Sequence, residues 1–112
     1  MDTITYDDFT KLELCVGTIL TAKENNILKK PSIILTIDFG EKIGIKKSSA
    51  QLKQNYDCKS IVGKQILAVI NFPPKQIGNI LSEVLILGLP DKNNEPILIS
   101  PDIEIKNGKK IY

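Results

Sequence analysis

The chain has 112 residues with fifteen lysines, thirteen acids, no histidine, no arginine and no tryptophan, for a formal charge of +2. These absences exclude imidazole acid–base chemistry, histidine-containing zinc sets and bidentate guanidinium readout of duplex DNA bases, and the length suits one domain over residues 1–112. Cys15 and Cys58 stand far apart and read as reduced thiols; with no apolar run of membrane-spanning length and no basic-then-apolar leader, the expectation is a cytoplasmic protein without membrane insertion, metal or cofactor.

In chain order, Thr5 and Asp8 frame a capping box ahead of Tyr6, Phe9 and Leu12 at helical spacing. That short helix needs a body to pack on, either its own domain or a second subunit. Residues 14–23 read as a first strand, with Gly17 where a bent barrel strand needs a position without a side chain. Residues 24–31 are loop. Residues 32–38 alternate as a second strand, and Asp38-Phe39-Gly40-Glu41 turns into a third over residues 42–48, with Ile43 and Ile45 on its core face and Lys42, Gly44 and Lys46 opposite. Ser48 or Ser49 is placed to cap a helix over residues 50–56.

Two apolar runs, Ile66 to Ile70 and Val84 to Leu87, read as buried strands. The loop between them is stiffened by Pro73 and Pro74, loosened by Gly78 and Asn79, and carries Asn71, Lys75, Gln76 and Ser82, a composition suited to recognition. A turn over residues 90–96 and two short edge strands, 97–100 and 109–112, complete the chain. The order gives an all-β fold with short helices: a five-stranded OB-fold barrel with an amino-terminal helix and a carboxy-terminal strand extension, with a sandwich of short strands as the alternative. The two extensions, with their apolar stripes, point to a homodimer.

Charge is uneven. Residues 1–41 hold four lysines against seven acids, residues 42–75 seven lysines against Asp57 alone, and residues 76–112 four against five. The basic middle third is the footprint of a polyanion or an acidic surface, or else a solvated face. No phosphate-cradling glycine loop, nucleophile elbow or paired buried carboxylates occur, so binding is expected rather than catalysis.

The runs Gly17-Thr18-Ile19, Ile37-Asp38-Phe39-Gly40, Ile43 to Gln51, Asn71 to Ile77 and Ser82 to Gly88 closely resemble the CsaA family of export-related chaperones. That family sits within a wider group of tRNA-binding OB domains that includes the carboxy-terminal domain of many bacterial methionyl-tRNA synthetases. The resemblance implies a non-enzymatic cytoplasmic homodimer that binds unfolded polypeptide or preprotein, and in the wider group tRNA. By position it implies ligand-binding roles for Lys46, Lys47, Ser48, Ser49 and Gln51, and for Asn71, Phe72, Pro74, Lys75, Gln76 and Ser82. Lys75 departs from a frequent arginine, and Glu83 and Val84 stand where the tRNA-binding branch tends to have glycine and methionine. From the residues themselves, Phe72, Pro73, Pro74 and Ile77 offer apolar contacts to a peptide, with Lys46, Lys47 and Lys75 at the rim. The alternative, tRNA or single-stranded RNA, would stack bases on Phe72 or Tyr56.

Overall fold

A computed structural model describes residues 1–27 and 29–112. The expected loop over residues 24–31 includes Leu28, which lies outside the described residues. The chain folds as α1 (Tyr6–Thr10), β1 (Leu14–Asn25), β2 (Ser32–Asp38), α2 (Gly40–Ile43), β3 (Ile45–Ala50), α3 (Cys58–Ile61), β4 (Gln65–Val69), β5 (Lys75–Ile77), β6 (Ile80–Ser82), β7 (Leu85–Ile86), β8 (Gly88–Pro90) and β9 (Pro96–Leu98). Among the described residues, no helix is long and apolar enough to cross a membrane.

β1 organises the rest because it serves two neighbours in succession. Its first residues pair with β4, from Leu14 opposite Val69 to Thr18 opposite Gln65, and its later ones with β2, from Thr18 opposite Asp38 to Asn25 opposite Ser32. A register irregularity between Ile19 and Thr21 falls just after this exchange, and an extra residue there increases twist and bends the strand. The resulting antiparallel sheet, in the order β3-β2-β1-β4-β7, curls into the OB-type half-barrel expected. Ile19, Ile33, Leu35, Ile37, Phe39, Ile61 and Ile66 are wholly buried in its core. At Gly17 a β-carbon would stand 2.7 Å from Ile37 Cγ2 and 2.7 Å from the Phe39 ring, so the missing side chain is what admits Phe39.

The capping box forms as expected: Asp8 N–H donates to Thr5 Oγ1 and Thr5 N–H to Asp8 Oδ2, both at 3.1 Å. No residue of α1 is buried. The carboxy-terminal tail lies along the edge of β1 that β2 leaves free, with Gly108 N–H donating to Val16 O, Val16 N–H to Lys109 O and Ile111 N–H to Leu14 O. It makes a single bridge, Cys15 to Lys110, in place of the edge strand expected over residues 109–112. Both cysteines are free, and Cys15 is buried on β1.

Three expectations are corrected. The third strand begins at Ile45, because α2 and Gly44 (φ 86°) take up the preceding residues. Its facing is therefore shifted by one: Lys46, Ser48 and Ala50 turn inward, and Ile45 is 61% exposed. The helix over residues 50–56 does not form. Ala50 pairs with Ile33 as the end of β3, and a single turn, with Tyr56 N–H donating to Leu52 O, is enough to bury Leu52. The helix in this connection is α3, capped by Asp57 Oδ1, which accepts from Ser60 N–H at 2.8 Å and Lys59 N–H at 3.0 Å. Finally, the segment between the two apolar runs is not an open loop. It is the β5–β6 hairpin, turning at Gly78 (φ 60°) and Asn79.

Candidate ligand-binding groove

β3 lies at the end of the sheet, and side chains from the last residue of β6 and the one after it satisfy its free edge. Lys47 N–H donates to Glu83 Oε1 at 3.0 Å and Ser49 N–H to Ser82 Oγ at 3.1 Å, while Glu83 N–H returns a bond to Lys47 O at 2.8 Å. Ser48 Oγ donates to Val84 O at 3.1 Å, so the β3 and β7 sides of the half-barrel are joined mainly through side chains, with the backbone bond from Glu83 to Lys47, and not by a ladder. The hairpin is thereby seated across the barrel's open seam. Its tip is held separately, by Asn25 Nδ2 donating to Asn79 Oδ1 at 2.9 Å, and Asn25 is only 5% exposed.

Beneath the hairpin runs a groove of about 360 Å³. Its floor is Leu52, Val84 and Leu98, all buried, and its walls include Phe72, Pro73, Ile77, Leu85 and Ile86. Phe72 is 47% exposed and Leu85 49%, values that leave large apolar faces open at the rim. Among the described residues the lining carries two charged side chains, Lys75 and Glu83. The arrangement suits an extended chain with apolar side chains, because β-branched and aromatic walls gain from burial while the unit charges orient.

Of the residues singled out from sequence, Ser48, Ser49, Gln51, Phe72, Lys75 and Ser82 meet on this lining. Ser48 and Ser82 lie at its base, 1% and 7% exposed, with hydroxyls 3.3 Å apart. Lys46, Lys47, Asn71, Pro74 and Gln76 are off it. Lys47 stands beside Thr36, which in turn pairs with Thr21, in a polar row across the strands. The Asn71 amide is committed to the α1–β1 connection, accepting from Glu13 N–H at 3.0 Å and donating to Lys11 O at 2.8 Å. Gln76 donates to Gly78 O within its own turn. Tyr56 is no stacking platform: it packs on the core, and its hydroxyl accepts from Leu98 N–H at 2.9 Å. Sequence reasoning missed Leu52, Pro96 and Leu98, which reach the groove from the strand-to-helix turn and the β8–β9 hairpin and carry no local sign of it. Leu85 and Ile86 were visible only as strand.

The family described as "Putative tRNA binding domain" matches residues 14–110. The chain is 32% identical over 111 residues to the methionine–tRNA ligase of Methanococcoides burtonii, a match that takes in 99% of this chain and 16% of that protein. Among solved structures, chaperone CsaA from Bacillus anthracis superposes with a TM-score of 0.91 at 41% identity, covering 99% of this chain and 100% of that one. The CsaA chaperone of Picrophilus torridus gives 0.89 at 44% identity, covering 98% and 100%. Matched along nearly its whole length in sequence and in barrel geometry, the chain belongs to the tRNA-binding domain family and, within it, to the CsaA group.

Proposed function

We propose that this protein is a non-enzymatic, CsaA-like export chaperone of the cytoplasm, a homodimer that holds unfolded polypeptide or preprotein segments in the groove under the β5–β6 hairpin. The observation that carries the reading is a half-exposed Phe72 beside a buried floor of Leu52, Val84 and Leu98, an apolar trough of about 360 Å³ with its mouth open. The similarity to two CsaA chaperones supports it. The test is an anisotropy titration of a labelled apolar peptide. Phe72→Ala is expected to weaken binding about tenfold, about 1.4 kcal/mol, the scale of part of an aromatic face returned to water. Unchanged affinity in a variant with an unchanged circular dichroism spectrum would remove the groove assignment.

The second reading, tRNA or single-stranded RNA, is favoured by a different observation. Of the seven lysines in residues 42–75, only Lys53 forms an ion pair among the described residues, with Glu24 at 3.4 Å. The others keep their charge available to phosphate, and the family match supports such a ligand. Labelled tRNA titrated at increasing salt separates the readings: a steady fall of log affinity with log salt is the signature of phosphate contacts, and no binding at low salt excludes them.

A further inference from the structure

The geometry points to a cation-accepting position inside the groove, with Glu83 as the specificity-determining residue: the polypeptide segment taken up is an apolar one that carries a lysine, an arginine or a terminal ammonium. This rests on the peptide reading above and adds the charge of the ligand to it. It also runs against what the basic middle third suggests, an acidic ligand, because most of those lysines are not in the groove. Lys46 and Lys47 are off its lining, and among the described residues Lys75 is the one other charged side chain that shares the lining with Glu83.

The carboxylate does more than its structural task requires. Two neighbouring N–H groups on the free edge of β3 are satisfied by side chains, and for one of them the neutral hydroxyl of Ser82 is enough. For the other, Glu83 accepts with Oε1 only. Its Oε2 makes no hydrogen bond among the described residues and is not fully buried, and Glu83 is part of the groove lining. Nor does Glu83 form an ion pair among the described residues. A half-buried carboxylate that accepts from Lys47 N–H, on a residue whose own N–H donates to Lys47 O, is thus presented beside apolar walls. There a ligand cation would shed part of its water and meet a charge in a medium of lower effective dielectric than the outer surface. The same oxygen repels phosphate and carboxylate, which turns polyanions away from the groove itself.

The test uses three labelled peptides sharing one apolar core and flanked by lysines, by serines or by aspartates, titrated against the full chain and Glu83→Gln. Glutamine keeps an oxygen for Lys47 N–H while removing the charge and putting an NH2 donor in place of the second oxygen, and thermal melts check that the fold is kept. The expected result is a lysine-flanked peptide weakened about fivefold, a serine-flanked peptide unchanged and an aspartate-flanked peptide held equally or more tightly. Because the surrounding lysines act equally in both proteins, the comparison isolates Glu83. Loss of affinity shared by all three peptides, or a lysine-flanked peptide that does not respond, would overturn the cation position while leaving the peptide reading in place. Absence of binding by every peptide to the wild-type chain would overturn both.

Discussion

Single polar side chains hold together segments that the apolar core does not reach. Asn71 is exposed, yet its amide spans Lys11 O and Glu13 N–H and so fixes the connection from α1 into β1. Asn71→Ala is expected to cost about 1–2 kcal/mol in a urea titration, two hydrogen bonds at the usual net value. Three aspartates do similar work at turns. Asp57 is held below the ordinary carboxylate range chiefly by the Ser60 backbone N–H, Asp91 chiefly by the Asn55 amide and Asp8 chiefly by the Thr5 N–H. A carboxyl whose folded-state value is depressed adds stability that is present above its unfolded value and lost as pH falls through the folded one. The urea midpoint is therefore expected to hold steady above about pH 5 and to fall below about pH 4, with Asp57→Asn showing a shallower fall. An equal acid slope in that variant would remove Asp57 as a contributor.

The elements divide by whether their partners are near in sequence. β2 is legible because its alternation is local and its buried side chains follow it, as is α1, whose capping box spans four residues. β3 is not, because its facing is set by α2 and by a positive-φ Gly44 that shift the pattern by one residue. The helix expected over residues 50–56 fails for a reason no local window contains: of the two serines read as caps, Ser48 gives its hydroxyl to Val84 O, and Ser49 gives its hydroxyl to Ser32 Oγ and its N–H to Ser82 Oγ, all distant in sequence. The groove is legible in the same proportion. Phe72, Lys75 and Ser82 announce themselves in an odd, proline-led segment, while Leu52 and Leu98 look like ordinary core until the barrel closes. Gly17 tests how far β1 depends on close approach to Phe39. Gly17→Ala places a methyl where 2.7 Å separates it from a fully buried ring, and a loss of about 1–3 kcal/mol by thermal or urea unfolding is expected from overpacking. A smaller loss would mean that Phe39 can withdraw without disturbing the core.

At the scale of the whole molecule, apolar surface collects where the two ends of the chain meet. Tyr6 is 69% exposed and Tyr112 fully so, and together with Phe9 and Ile111 they line one shallow hollow. Helix α1 is five residues long, too short to persist alone, and it is held from one side by its capping box, the Asn71 amide and Lys110 Nζ, which donates to Thr10 O at 3.1 Å. Such a tethered helix leaves its aromatic side unpartnered, and a second copy related by a two-fold axis would cover both hollows at once. The proposed homodimer accordingly predicts that the wild-type chain sediments as a dimer at micromolar concentration and that Tyr6→Lys, which puts a charge into the hollow while leaving the Thr5–Asp8 cap untouched, shifts it toward monomer. Dimerisation would also set two grooves on one particle, so that a long unfolded chain is held at two points while a short peptide is held at one. The monomeric variant should then bind a short apolar peptide as wild type does and a full-length unfolded preprotein at least about tenfold more weakly, the loss that accompanies removal of an effectively intramolecular second contact. If Tyr6→Lys sediments as a dimer, the hollow is not the interface; if it is monomeric and both ligands bind as before, each groove works alone and the long chain gains nothing from the pair.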